Sequence, residues 1–364
     1  MGVVGNRAIT FTIVSGIFTV IKLIKPTMPT HFTAKYFFVF CLISLLGIGG
    51  CTSRAPDEKA PDAVSEGNSQ PTATTKYVRP LILNTARFSH ATASDDHKLY
   101  VFAGYGKTGF LTDVEIIDPQ TGEIEVLTNK VLPRRYFSAV WDGKHSIYLL
   151  GGISLIDDSV TLEHTVEVFD TLTHEVTFAT PVPVARRDSS AVYLNGQIYL
   201  FGGSEYSVAN GFELIPSTLA TRYDIASQNW LPVADMPTAK ATRVFAKDGM
   251  IYALGGTRFM APMTVFEQYD PRHDSWQNRP DLPQPLSAHS LVVYGQKLLV
   301  FGSDDELDLT YSYDFELATW QKTDIGYLPS SQNTATLLGN TIYVIGGTGG
   351  KGRAFVNYIQ QFPQ

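Results

Sequence analysis

Six copies of one short apolar stretch constrain this chain more than any other feature. They are Leu99–Gly104 (LYVFAG), Ile147–Gly152 (IYLLGG), Ile198–Gly203 (IYLFGG), Ile251–Gly256 (IYALGG), Leu298–Ser303 (LLVFGS) and Ile342–Gly347 (IYVIGG). Successive copies begin 48, 51, 53, 47 and 44 residues apart. Strand-rich units repeating at about 50 residues point to propeller blades. Each copy is four mostly β-branched or aromatic residues that stop at glycine. That pattern describes a strand buried on both faces, ended where the chain needs a positive φ or a close backbone approach.

The third unit shows how one repeat is built. Ser189–Leu194 reads as a strand, Asn195-Gly196 as a hairpin turn and Ile198–Gly203 as the next strand. A long loop follows, then Ala220–Asp224, a turn, and Trp230–Val233 as the outer strand. The spacing of Tyr223, Asp224 and Trp230 recurs at Tyr269, Asp270 and Trp276, and again at Tyr313, Asp314 and Trp320. An apolar strand ending in Gly-Gly, then Tyr-Asp, then Trp resembles the Kelch repeat. The first two units depart from it, with Ile124 and Val176 in the tryptophan slot, and Gly-Gly is incomplete at Ala103-Gly104 and Gly302-Ser303. The resemblance covers about residues 77–364 and implies an all-β, six-bladed Kelch-type propeller. The sixth unit ends one strand short, around Phe355–Gln361, and Tyr77–Pro80 has the look of an outer strand. The N-terminal segment is therefore expected to complete the last blade and close the ring.

The first 50 residues stand apart. They hold Arg7, Lys22, Lys25 and Lys35 and no acid, which leaves the remainder with 24 basic and 35 acidic residues. An acidic body disfavours nucleic-acid binding, which depends on clustered Lys and Arg. Phe37–Ile48 is a 12-residue apolar run with Lys35 before it and small residues after it. That is the order of a secretory signal, and the run is too short for a membrane helix. Ile48-Gly49-Gly50-Cys51 resembles a bacterial lipobox, which implies a lipid anchor on Cys51. Thr52 follows it, and the absence of aspartate there implies outer-membrane sorting in a bacterial envelope. Residues 1–27 then read as an extension ahead of a start at Met28, with 28–50 as the signal; a membrane helix over residues 9–24 is the alternative. Residues 51–76, with three prolines and no aromatic residue, read as a lipidated cysteine and flexible tether.

Aligning the innermost strands by their small-apolar step brings one position into view. Round the ring it reads Arg87, Arg135, Arg187, Lys240, Ser287, Ser331. In the Kelch resemblance this position lies near a mouth of the central channel, where related ubiquitin-ligase adaptors hold an acidic peptide with arginines. Arg87, Arg135, Arg187 and Lys240 are thus candidate ligand-binding cations, with His90, Arg243 and Ser290 three residues further on. The competing structural reading pairs the cations with the turn aspartates Asp118, Asp170, Asp224, Asp270 and Asp314. The long stretches Ile153–His164 and Ser204–Leu219 add Glu205, Glu213 and Arg222 as candidates.

Both cysteines, Cys41 and Cys51, precede the body. That excludes a copper-radical oxidase, which resembles Kelch propellers but requires a cysteine cross-linked to tyrosine. The body histidines show no metal-ligand spacing, and no cofactor or metal is expected. Two functions remain. One is a membrane-anchored, noncatalytic module presenting a channel mouth to a protein, peptide or anionic glycan. The other is an isomerase or mutarotase acting on an acidic sugar, by resemblance to periplasmic sialic-acid epimerases.

Overall fold

A computed structural model describes residues 80–207, 213–349 and 354–364. Cys51, the signal, the tether and residues 77–79 lie outside the described residues. Secondary structure among the described residues is strand and turn, without helix.

Among the described residues, six antiparallel meanders follow one another. Sheet 1 comprises Ala91–Ser94, Leu99–Phe102, Val114–Asp118 and Glu123–Leu127, in that order. Sheet 2 comprises Ser138–Trp141, Ser146–Leu150, Val166–Asp170 and Val176–Ala179; sheet 3 comprises Ser190–Leu194, Gln197–Phe201, Ala220–Asp224 and Asn229–Pro232. Sheet 4 comprises Ala241–Lys247, Met250–Arg258, Phe266–Asp270 and Ser275–Asn278, with Ala261–Pro262 as an extra short strand. Sheet 5 comprises Ser290–Tyr294, Lys297–Phe301, Thr310–Asp314 and Thr319–Lys322. Sheet 6 has three strands, Thr334–Leu338, Thr341–Ile345 and Ile359–Pro363. The second strand of each sheet is the repeated apolar stretch, and nearly every residue of it is buried, as expected of a strand covered on both faces.

The first strand of each sheet packs beside the first strand of the next, from sheet 1 through sheet 6. The first strands of sheets 6 and 1 also touch, and Thr92 and Thr334 share a hydrogen bond of 2.6 Å between them. Apolar clusters fill each space between neighbouring sheets. Leu81 and Leu83 join the cluster between sheets 1 and 6. Leu83 donates its N–H to Asn357 O at 2.7 Å, and Ile359 donates to Leu81 O at 3.1 Å.

The glycines make a second repeated link. Gly104 donates its N–H to Arg134 O, Gly152 to Arg186 O, Gly203 to Lys240 O and Gly256 to Leu286 O, each at 2.9 Å; Gly347 donates to Arg87 O at 2.8 Å. Every sheet except the fifth thus binds its successor through this glycine amide. At Gly203 (φ 93°) a Cβ would lie 2.7 Å from Arg187 O, so only glycine permits the approach. In sheet 5, where Ser303 replaces the second glycine, Ser303 donates to Glu306 O instead.

The tryptophans act at the periphery. The Trp230 indole N–H donates to Thr180 O, that of Trp276 to Ala234 O and that of Trp320 to Pro280 O, at 2.8 to 2.9 Å. Each ring also packs on the tyrosine across its own strand pair, with centroids 4.8 to 5.1 Å apart. Ile124 and Val176 keep the apolar contact in sheets 1 and 2 without the N–H.

Two expectations shift. The last strand is Ile359–Pro363, not Phe355–Gln361; Phe355 and Tyr358 make isolated bridges to Thr348 and Ile82. The stretches 153–164 and 204–219 are hairpins rather than loops, pairing Ile153–Ile156 with Ser159–Leu162 and Ser204–Ser207 with Glu213–Pro216.

Candidate functional site

The inner strands surround a cavity of about 290 Å³. Their polar lining includes Thr92, Ser138, Ser190, Ser290 and Thr334, with Arg187, Asp188, Arg243 and Asp304 as its charged groups. How the cations reach, or miss, this cavity follows from the register of the chain just before each inner strand.

The residue whose carbonyl accepts the glycine N–H is Arg87, Arg134, Arg186, Lys240 and Leu286 in sheets 1 to 5. In sheet 6 the Ser330 carbonyl lies against Gly302 in the same way. Arg87, Arg134, Arg186 and Lys240 are all at most 1% exposed. Three of them meet an acid at the second residue of the third strand. Arg87 Nη2 lies 2.5 Å from Glu115 and 2.6 Å from Asp113, Arg134 Nη2 lies 2.8 Å from Glu167, and Lys240 Nζ lies 3.0 Å from Glu267. Burial lowers the pKa of Lys240 while the Glu267 charge opposes that shift. These are structural ion pairs of the kind that a buried charge requires.

The four-cation rim is therefore corrected. Arg87 and Lys240 lie inside their sheets, whereas Arg135 and Arg187 are each one residue beyond the buried cation, and of these two Arg187 lines the cavity while Arg135 packs among aromatic rings. The structure aligns Ala91 with Ser138 and Ser190 as first residues of their strands. The small-apolar step had instead matched Ala91 with Ala139 and Ala191, a slip of one. The suggested pairing with turn aspartates is also replaced. Asp118 accepts from the amides of Gln120 and Thr121, Asp170 from Leu172 and Thr173, Asp224 from Ser227, and Asp314 from Glu316 and Leu317. They shape their own turns. Asp270 does the same toward Arg272 and also meets His273 on the exposed turn.

Arg135 sits 4.7 Å from the Tyr105 ring centre and 4.9 Å from that of Tyr136. Arg187 lies 3.9 Å from the opposite partner, the same Tyr136 ring, and its Nε donates to Asp188 at 3.1 Å. Burial opposes the Arg187 charge, but Asp188 and Tyr136 hold its pKa above the ordinary value. Ser287 and Ser331 are buried, and Ser331 Oγ donates to Asp304 at 2.6 Å.

One backbone irregularity brings a further arginine into the cavity. Ser89, Tyr136, Asp188, Ala288 and Gln332 all adopt φ between 51° and 58°. Their amides join successive sheets: Asp188 donates to Tyr136 O, Tyr136 to Ser89 O, Ser89 to Gln332 O and Gln332 to Ala288 O, at 2.8 to 3.1 Å. Sheet 4 is one residue shorter here. Its register shifts between Ala241 and Arg243, and Arg243 pairs with Leu254 where other sheets start their strand with Ala, Ser or Thr. Arg243 consequently lines the cavity. Its Nη1 donates to Thr242 O at 3.2 Å, and no carboxylate among the described residues lies within ion-pair distance.

His90 and His289 line the same cavity and are at most 4% exposed. Burial, with Arg87 and Arg243 respectively nearby, lowers both pKa values to about 3, so both are neutral. Ser290 also faces the cavity. Glu205 and Glu213 belong to the sheet 3 hairpin, whereas Arg222 donates to Gln197 Oε1 at 2.7 Å; the three do not come together. Among the described residues no group of three or more His, Cys, Asp or Glu could hold a metal ion. No helix among them is long and apolar enough to cross a membrane.

Sequence reasoning passed over the buried acids. Val114-Glu115, Val166-Glu167 and Phe266-Glu267 each place a carboxylate at the same register of an otherwise buried strand. A buried acid at a repeated position calls for a buried cation, and would have assigned Arg134 rather than Arg135 to that role.

The Kelch motif matches residues 86–127 and 242–283. The chain is 28% identical over 259 residues to Kelch-like protein 25 of Xenopus tropicalis, covering 69% of this chain and 43% of that protein. It is 29% identical over 175 residues to Kelch-like protein 36 of Bos taurus, covering 46% and 28%. To Kelch-like protein 38 of Homo sapiens it is 27% identical over 238 residues, covering 65% and 39%. The chain thus spans less than half the length of these relatives. These similarities, with the all-β meanders, support a Kelch-repeat chain and a β-propeller fold. They lend no support to the sugar-isomerase alternative.

Proposed function

We propose that this chain is a noncatalytic binding module, a six-bladed propeller whose channel mouth holds an acidic segment of a protein partner. The observation that carries the reading is the pair Arg187 and Arg243 on one cavity, with Arg243 facing no carboxylate of its own. A partly buried guanidinium without an acid gains most from a carboxylate that arrives with a ligand, because charge-assisted hydrogen bonds strengthen as water is excluded. Arg187 stands on sheet 3 with Asp188 as its partner and Asp304 on sheet 5 is engaged by Ser331, which leaves Arg243 on sheet 4 as the cavity cation without an acid partner among the described residues. That asymmetry sets the orientation of an acidic segment lying across the mouth.

Six blades and a closed ring are supported by the serial contact of the first strands, the Gly347 to Arg87 link and the pairing of Leu81 and Leu83 beside sheet 6. Envelope location rests on the signal and lipobox pattern ending at Cys51. Mass spectrometry of the mature N-terminus tests it, since a peptide preceding Cys51 in the mature protein contradicts lipidation there.

Binding is tested on an array of synthetic peptides that vary in Asp and Glu content. The wild-type chain retains an acidic subset, and Arg243→Ala and Arg187→Ala lose it while melting near the wild-type temperature. An array pattern indifferent to peptide charge, or unchanged in both variants, overturns the reading.

A further inference from the structure

The buried ion pairs supply an internal comparison that sheet 3 fails to match. Arg186 takes the same place as Arg134 and Lys240. Its carbonyl accepts the Gly152 N–H, and its Nη1 donates to Leu219 O at 2.6 Å, as Arg134 donates to Thr165 O and Lys240 to Val265 O, each at 3.2 Å. The position that carries Glu167 opposite Leu149, and Glu267 opposite Ala253, carries Thr221 opposite Leu200. Threonine is two heavy atoms shorter than glutamate and brings no charge.

Arg186 is 1% exposed, and no carboxylate among the described residues comes within ion-pair distance of it. Thr221 Oγ1 is buried without a hydrogen-bond partner, and so is Arg186 Nε, as Arg134 Nε is in sheet 2; what sheet 3 lacks is the carboxylate that meets Arg134 Nη2. Glu205 and Asp235 attract the guanidinium only from further away. An arginine does not discharge by losing its proton, and an uncompensated buried charge is costly.

We infer that sheet 3 holds a small monovalent anion, of chloride to formate size, between the Arg186 guanidinium and the Thr221 hydroxyl, where sheets 1, 2 and 4 hold a glutamate carboxylate. The guanidinium and the Thr221 O–H both donate to it. The site lies inside the sheet and is independent of the channel-mouth reading.

The test is thermal unfolding of the intact chain at constant ionic strength, with chloride or formate exchanged for gluconate, which is too large to enter. The melting temperature rises saturably with chloride and with formate, by about 3 °C once the anion exceeds its dissociation constant tenfold. Thr221→Glu raises the melting temperature in gluconate and removes the anion response, because its own carboxylate takes the place of the ligand. A wild-type chain indifferent to the anion overturns the inference, as does an undiminished chloride response in the variant. Should Thr221→Glu fail to fold, crystals grown in bromide decide. An anomalous peak beside Arg186 Nε supports the site, and bromide bound elsewhere but not there contradicts it. An anion-independent wild type that loses stability in Glu205→Gln assigns the counter-charge to Glu205 and likewise overturns the site.

Discussion

Lys240 and Glu267 face each other within sheet 4 with 3.0 Å between Nζ and Oε2, and neither side chain is more than 1% exposed. The lysine also donates to Val265 O at 3.2 Å, so its charge is held by an acid and a backbone carbonyl together. Removing one partner strands the other. Glu267→Ala is expected to cost about 3–5 kcal/mol, the usual result of breaking a buried pair. Denaturant unfolding measures it, and a loss below about 1 kcal/mol would show that the pair carries no structural weight.

The channel histidines make stability fall with acid. His90 and His289 hold pKa values near 3 in the folded chain, against about 6.5 when unfolded. The unfolded chain therefore binds more protons between these values, and stability drops as pH falls from about 6.5 toward 3. Each histidine adds a slope approaching about 1.4 kcal/mol per pH unit through the middle of that window. Unfolding free energies at pH 7, 6 and 5 read the slope. His289→Gln is expected to flatten it, since the variant removes one of the two titrating groups.

The Trp276 indole joins two sheets through its N–H to Ala234 O at 2.8 Å while its ring packs on Tyr269. Trp276→Phe keeps most of the ring contact and loses the donor, for an expected cost of about 1–2 kcal/mol. Trp276→Ala is expected to cost about 3–5 kcal/mol. Equal effects from the two variants would place all of the contribution in the ring.

The N-terminal segment tests whether the ring closes as proposed. Leu81 and Leu83 are at most 4% exposed and bury themselves between sheets 1 and 6. Deleting residues 77–83 is expected to lower the melting temperature of the whole domain by well over 10 °C, because it removes both leucines and uncovers the apolar residues they pack on together with the edge of sheet 6. A local change that leaves the main transition in place would contradict closure through this segment.

The strand plan was legible because burial on both faces writes a continuous apolar run, and glycine marks its end. Ala220–Asp224 was read with its observed limits, and the Trp230 strand to within one residue. The site was less legible. In sheets 2 and 3 two arginines stand side by side, and a single residue decides whether each is interior or at the mouth. Alanines at 139 and 191 mimic Ala91 one position late, so the alignment chose the second arginine of each doublet. Arg243 was named in the sequence beside the rim cations, but the reason it lines the cavity was not legible: its placement comes from one residue missing ahead of the sheet 4 strand. Only the ladder of carbonyls and amides reveals such a shift.

The central claim is that Arg187 and Arg243 together hold an acidic segment at the channel mouth. The direct measurement is fluorescence anisotropy of a labelled acidic peptide selected on the array, titrated with the wild-type chain, Arg243→Ala and Arg187→Ala/Arg243→Ala at two salt concentrations. The account predicts a loss of about 10- to 100-fold in affinity for Arg243→Ala, a larger loss for the double variant and a weaker salt dependence in both. Wild-type affinity in the double variant, with its fold intact by thermal unfolding, would contradict it.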